Sequence, residues 1–283
     1  MANDELSAAA VTGAGNDGRH IPFEQAFNFR DLGGYRARDG RTVRSHRLFR
    51  AAALHRMPDA DAERARRALG IVTVIDLRGD EEIEQAQGLG PLASAVATRH
   101  HLPMLNPELM TVLRGMEEVI STDGYLAFLD HTGDQIATAI DLLARDETYP
   151  AVFHCATGKD RTGLIAAFVL DVLGIAHATI IEDYADSAPH VAQQWDFLRQ
   201  AGLLEGSGGS IRQRIQRLPV HLLRRAGLLK GYAPNAPQSA VVPAAMRGTL
   251  DALRARHGSI RGYLATLGVQ ESTLDRLSAL LLE

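Results

Sequence analysis

At 283 residues, with 46% hydrophobic and 23% charged side chains, the chain has the material for one large globular domain or two small ones. A net charge of -4 gives no overall attraction to nucleic acid or to an anionic membrane, and no apolar run approaches the roughly 18 residues of a membrane-spanning helix. The single cysteine excludes an intramolecular disulfide, which fits a reducing compartment.

Residues 1–20 are rich in Ala, Gly, Asn and Asp and read as a disordered leader, lacking the basic and apolar regions of a secretory signal. The expected location is the cytoplasm, with export that needs no cleavable signal peptide as the alternative. Residues 21–283 read as a single domain. Phe27–Tyr35 alternates aromatics up to a Gly-Gly turn, and 41–43 and 47–50 have the look of short strands; the simplest expectation is a surface hairpin.

Pro58-Asp59 opens a helix that Gly70 stops, with acids at its start and arginines towards its end, as the macrodipole favours. The β-branched run Ile71–Ile75 predicts a parallel strand buried on both faces, ending on Asp76; Gly79-Asp80-Glu81-Glu82 begins another helix. A further strand is expected at 99–102. From 107 to 144 the pattern is helical, with breaks near Gly115, Asp123-Gly124 and Gly133. Val152–His154 is a strand that runs into a tight loop and the apolar helix beginning around Arg161, and a second helix covers about 176–185. Residues 205–239 combine a Gly-Ser hinge, a basic helical segment with five arginines, and a stretch at 232–239 that holds two prolines. They form, with 107–133, a candidate lid. The remainder to Leu282 predicts about three helices.

Alternating strands and helices predict an α/β fold with a central, mostly parallel sheet flanked by helices, plus the extra helices of the candidate lid. Ligands of such sheets sit beyond the carboxyl ends of the strands, where both Asp76 and Cys155 fall.

The segment His154-Cys155-Ala156-Thr157-Gly158-Lys159-Asp160-Arg161-Thr162-Gly163 concentrates the chemistry. A phosphate monoester needs a nucleophile and several convergent donors. A loop entering a helix N-terminus presents N–H groups and a favourable dipole at one point. Gly158 lets the backbone curl, and Arg161 offers a planar fork to two phosphate oxygens. The attacking species is the thiolate, which the same donors stabilise, and Thr162 can hydrogen-bond the sulfur. Ala156, Thr157, Gly158, Lys159, Thr162 and Gly163 are thus the candidate substrate-binding residues, and Cys155 and Arg161 the candidate catalytic pair. A nucleotide-binding Walker loop is ruled out by Phe153 and Asp160 where that motif needs glycine and Ser/Thr. The histidines, His100-His101 included, form no ligand-like cluster, so no metal or other cofactor is expected.

With Asn28-Phe29-Arg30-Asp31-Leu32-Gly33-Gly34, Leu48-Phe49-Arg50, Asp76-Leu77-Arg78 and Asp183-Tyr184, this segment makes the sequence resemble the atypical bacterial protein-tyrosine phosphatases of the PtpB type. The resemblance covers most of 21–283. It implies tyrosine, serine/threonine and phosphoinositide phosphatase activity, a metal-free two-step mechanism through a phosphocysteine, and a helical lid. It also makes Asp160 one candidate for the general acid; Asp76 is the other, on the ground of its place at a neighbouring strand end. Lys159 adds a positive charge that suits phosphoinositides or else supports the loop electrostatically. Expected partners are therefore phosphorylated proteins and phosphoinositides, with no nucleic acid and no integral membrane segment. The competing readings are a lipid or small-molecule phosphatase for which phosphoprotein is incidental, and an inactive phosphate-binding module.

Overall fold

The computed structural model describes residues 18–116, 118–201, 203 and 240–283. Most of the expected leader and the whole 205–239 part of the candidate lid lie outside the described residues. Five strands form one mixed sheet: β1 (Arg30–Asp31), β2 (Leu48–Ala51), β3 (Thr73–Asp76), β4 (Thr98–His101) and β5 (Ala151–His154), in the order β1-β2-β5-β3-β4. Only the β1–β2 pairing is antiparallel. The expected α/β fold with a mostly parallel sheet is the one observed.

Alternation along the strands explains the layering. Leu48, Ile75, Ala151 and Phe153 face one core, shared with α6 (Gly133–Leu143) and α7 (Asp160–Val172); Phe49, Val74 and Val152 face a second, beneath α1 (Asp59–Ala68) and α3 (Pro91–Ala95). Each such Val, Ile, Leu or Phe contributes about 1.5–3 kcal/mol on burial, so the centre of the sheet is fixed in register. A one-residue slip would put Phe153 on the wrong face.

The hairpin expected at 27–50 is not a surface element. β1 and β2 do pair, but β2 is fully buried and runs parallel beside β5, matching Ala51 to His154. The stretch Leu48–Ala51 is only four residues long and carries a charge at Arg50, so its pattern does not declare a buried central strand. The break expected at Asp123-Gly124 also moves: α4 (Pro107–Arg114) ends before α5 (Thr122–Asp130), whose first turn contains Gly124, with the Ser121 side chain accepting from the Gly124 N–H. Both helices bury apolar faces in the first core through Leu109, Leu113, Tyr125, Leu126, Phe128 and Leu129. After α8 (His177–Ala185) comes a helix that the sequence reading did not find, α9 (Ser187–Gln200). Pro189 obscured it, although proline is tolerated in a first turn. Three helices close the chain: α10 (Pro243–His257), α11 (Ile260–Thr266) and α12 (Glu271–Leu281). Among the described residues no helix is long and apolar enough to cross a membrane.

Candidate active site

β5 delivers Cys155 to the carboxyl edge of the sheet, where it is 1% exposed. The loop beyond it turns on Gly158, at φ +65°, where a Cβ would lie 2.6 Å from the Ala51 carbonyl carbon and oxygen. Only glycine combines that backbone with so close an approach to β2. The chain then enters α7 (Asp160–Val172), whose N-terminal dipole faces the loop and whose body from Leu164 to Leu170 is buried all round.

The carbonyls of the loop are bound from outside it. Ala156 O accepts from the Ala53 N–H at 3.2 Å and from Gln194 Nε2 on α9 at 3.0 Å. Asn28 Nδ2 donates to Thr157 O at 3.2 Å and to Gly158 O at 3.0 Å, and Arg50 Nη2 donates to Gly158 O at 2.7 Å. In a trans peptide the N–H points opposite to the C=O, so these bonds turn the N–H groups of 157–159 the other way. Holding the carbonyls outward is how a scaffold makes a cradle of donors.

The braces are themselves fixed. Arg30 and Arg50, both 0% exposed, converge on Asp183 of α8: Arg30 Nε lies 3.1 Å from Oδ1, and Arg50 Nη1 bonds Oδ2. Arg30 Nη1 also donates to Asn28 Oδ1, and the Tyr35 hydroxyl donates to Asp183 at 3.1 Å. Burial opposes the Asp183 charge, but Arg30 and Arg50 outweigh it and hold its pKa far below the usual carboxylate range. Arg50, desolvated beside Arg30, falls to about 10. The sequence reading marked these segments without giving the side chains a role. The available signal was an arginine directly after a phenylalanine in two buried strands, where a charge needs a partner.

Arg161 opens α7 and reaches across to α2 (Asp80–Gln85), where Glu82 grips it bidentately, Nη2 to Oε1 at 2.8 Å and Nη1 to Oε2. Arg161 Nη1 also donates to Leu77 O at 3.3 Å, and Glu82 Oε2 accepts from the Gly79 N–H at 2.8 Å. Burial works against the Arg161 charge; the neighbouring Cys155, Glu82 and Asp160 outweigh it and raise its pKa above the ordinary value. Glu82 was not among the residues singled out from the sequence. In Asp80-Glu81-Glu82 it looks like one of three helix-start acids, and only the tertiary fold distinguishes it.

The two acid candidates sit in different surroundings. Asp76 is 1% exposed and its carboxylate is saturated by Arg78, with Nε at 2.9 Å from Oδ1 and Nη2 at 2.6 Å from Oδ2. Burial opposes its charge, yet His154, 3.6 Å away, and Arg78 keep its pKa below the ordinary value. Burial also pushes the pKa of His154 down. Asp160, by contrast, is one-third exposed, accepts from the Tyr125 hydroxyl of α5 at 2.5 Å and lies 3.5 Å from Lys159 Nζ.

The other loop residues are dispersed in role. Ala156 and Thr157 are half-buried on the loop rim. Lys159 is 1% exposed, its Nζ donating to Ala240 O at 3.1 Å. Thr162 is buried, and its hydroxyl has no hydrogen-bond partner among the described residues, so the expected bond to sulfur is not seen. Gly163 faces away from the loop: a Cβ there would lie 2.9 Å from Tyr184 Cδ2, so its missing side chain makes room for that ring. Among the described residues no cluster of three or more His, Cys, Asp or Glu could hold a metal ion.

Relatives bear on this geometry. A tyrosine-protein phosphatase of Nostoc commune is 29% identical over 232 residues, covering 81% of this chain and 71% of its own. The triple specificity protein phosphatase PtpB of Mycobacterium tuberculosis is 29% identical over 292 aligned positions, covering 91% of this chain and 97% of its own. With the α/β sheet and the strand–loop–helix at its edge, these likenesses define a phosphatase. Residues 21–283 match the model of the tyrosine phosphatase family, and the chain belongs to that family.

Proposed function

We propose that this phosphatase hydrolyses phosphotyrosine through a phosphocysteine formed on Cys155, with phosphoserine/threonine and phosphoinositides as further substrates. The observation that carries the reading is the loop itself. The chain's only thiol follows directly on a buried strand, the loop carbonyls are tied outward, and Glu82 grips the Arg161 guanidinium bidentately at the start of α7. In the first step Cys155 Sγ attacks phosphorus, the P–O bond to the leaving group breaks, and an acid protonates the departing oxygen. In the second, water attacks the phosphocysteine, the P–S bond breaks, and inorganic phosphate leaves with the thiolate restored. Arg161 and the loop N–H groups take up the charge of the trigonal transition state in both.

Asp160 is assigned the acid and later the base. Its partial exposure lets it meet a leaving group, whereas both oxygens of Asp76 are committed to Arg78. Asp76 instead braces the turn after β3 from which α2 presents Glu82. Lys159 supports the loop electrostatically: with its ammonium buried against the Ala240 carbonyl, Lys159→Ala is expected to lower phosphotyrosine and phosphoinositide turnover by equal factors.

One panel tests the reading. Phosphopeptides, phosphoinositides and an aryl phosphate are assayed with EDTA present, using the wild type, Cys155→Ser, Asp160→Asn and Asp76→Asn. Cys155→Ser is expected to bind aryl phosphate without turnover, and Asp160→Asn alone to lose the alkaline limb of the pH profile, with kcat down by about 10²–10⁴. Persistent turnover by Cys155→Ser would exclude the thiol mechanism. Turnover of phosphoinositides alone would favour a lipid phosphatase.

A further inference from the structure

The mechanism leaves two buried phenols unused, and they are joined to the acid. The Tyr125 hydroxyl of α5 lies 2.5 Å from Asp160 Oδ1 and 2.7 Å from the Tyr184 hydroxyl of α8. The direction of each bond follows from proton count. A carboxylate oxygen without a proton only accepts, so the one Tyr125 proton goes to Asp160 Oδ1, and Tyr125 oxygen then accepts the Tyr184 proton. The result is a one-way chain, Tyr184 to Tyr125 to Asp160.

We infer that Tyr125 and Tyr184 are positioning residues for Asp160, a role that rests on the assignment of Asp160 as the general acid. Tyr125 occupies Oδ1 and fixes the rotation of the carboxyl group, leaving Oδ2 as the oxygen that carries and delivers the proton. The groups that bear on Asp160 are Lys159, 3.5 Å from Oδ2, Tyr125 from α5, Tyr184 behind it, and Arg161 and Cys155 of the same loop and helix turn. Tyr125 is the only neutral donor of the set in direct contact. The phenols are also mechanically seated: both are under 5% exposed, the rings meet edge-on at 6.5 Å, and Gly163 is bare where the Tyr184 ring rests. The same helix turn that holds Arg161 therefore receives, two residues later, the ring that supports its acid.

A hydrogen bond to an acid matters most when the leaving group is a poor one. Tyr125→Phe, Tyr184→Phe, Asp160→Asn and Tyr125→Phe/Asp160→Asn are compared with the wild type on a series of aryl phosphates of rising leaving-group pKa, with full pH profiles. Both Phe variants keep the rings, and urea unfolding confirms that they fold. Tyr125→Phe is expected to lower kcat about tenfold for phenyl phosphate and about twofold or less for 4-nitrophenyl phosphate. It should also move the alkaline limb to higher pH, because the donor it loses favours the carboxylate. Tyr184→Phe should show the same pattern more weakly, and Tyr125→Phe should add nothing to Asp160→Asn. Equal losses across the series with an unmoved limb, or additive losses in the double variant, overturn the positioning role alone. If Asp160→Asn keeps the wild-type limb and leaving-group dependence, the acid assignment fails, and the positioning role falls with it.

Discussion

Glu82 shows how one carboxylate decides whether the Arg161 cation can do its work. A guanidinium on a flexible stem would sample several rotamers around the loop. The bidentate contact with Oε1 at 2.8 Å and with Oε2 selects one, and the Gly79 N–H in turn holds Glu82. Glu82→Gln keeps the size but removes the charge and one acceptor. It is expected to reduce kcat/KM about 10- to 100-fold, read by steady-state kinetics on an aryl phosphate, with little change in unfolding midpoint because the pair is partly solvated. Wild-type kinetics in that variant would mean that the loop alone orients Arg161.

At the level of elements, the site depends on one close approach, that of the loop after β5 to the end of β2. Gly158 takes a positive φ there and leaves no space for a methyl group against Ala51 and Ala52. Gly158→Ala forces either the loop or β2 to shift. It is expected to destabilise the fold by about 1–3 kcal/mol and to cost activity beyond what stability explains, because the Gly158 carbonyl would leave Arg50 and Asn28. Urea unfolding combined with kinetics at a temperature where the variant is folded separates the two losses. The α8 and α9 helices matter for the same reason. Asp183 and Gln194 come from them, so helices far along the chain secure carbonyls in a loop they do not adjoin in sequence.

For the whole molecule, the buried Arg30–Asp183–Arg50 cluster ties β1, β2 and α8 together beneath the site. The Asp183 pKa is lower folded than its ordinary 3.8. Its contribution to stability is therefore fully present above the ordinary carboxylate range and is lost as the pH falls through that range towards the folded value. Asp183→Asn is expected to cost about 3–5 kcal/mol at neutral pH, since it strands two buried arginines. It should also flatten the acid side of the stability–pH curve, as measured by urea unfolding between pH 2 and 7. An unchanged acid limb would place the relevant titration elsewhere.

What the sequence by itself determined was local. The run Val152–His154, the glycine within the loop, and the apolar helix after Arg161 are contiguous, so pattern and turn chemistry reveal a strand, a tight turn and a helix N-terminus in a few residues. The α/β class followed for the same reason, from strands and helices that alternate. What only the tertiary structure decided was everything that joins distant positions. Examples are Glu82 set on Arg161 from 79 residues away, Tyr125 on Asp160, and the burial of Leu48–Ala51 beside β5. A buried ion pair or a central short strand is defined by its partner, and a partner supplied by another part of the chain leaves no periodicity in the sequence to read.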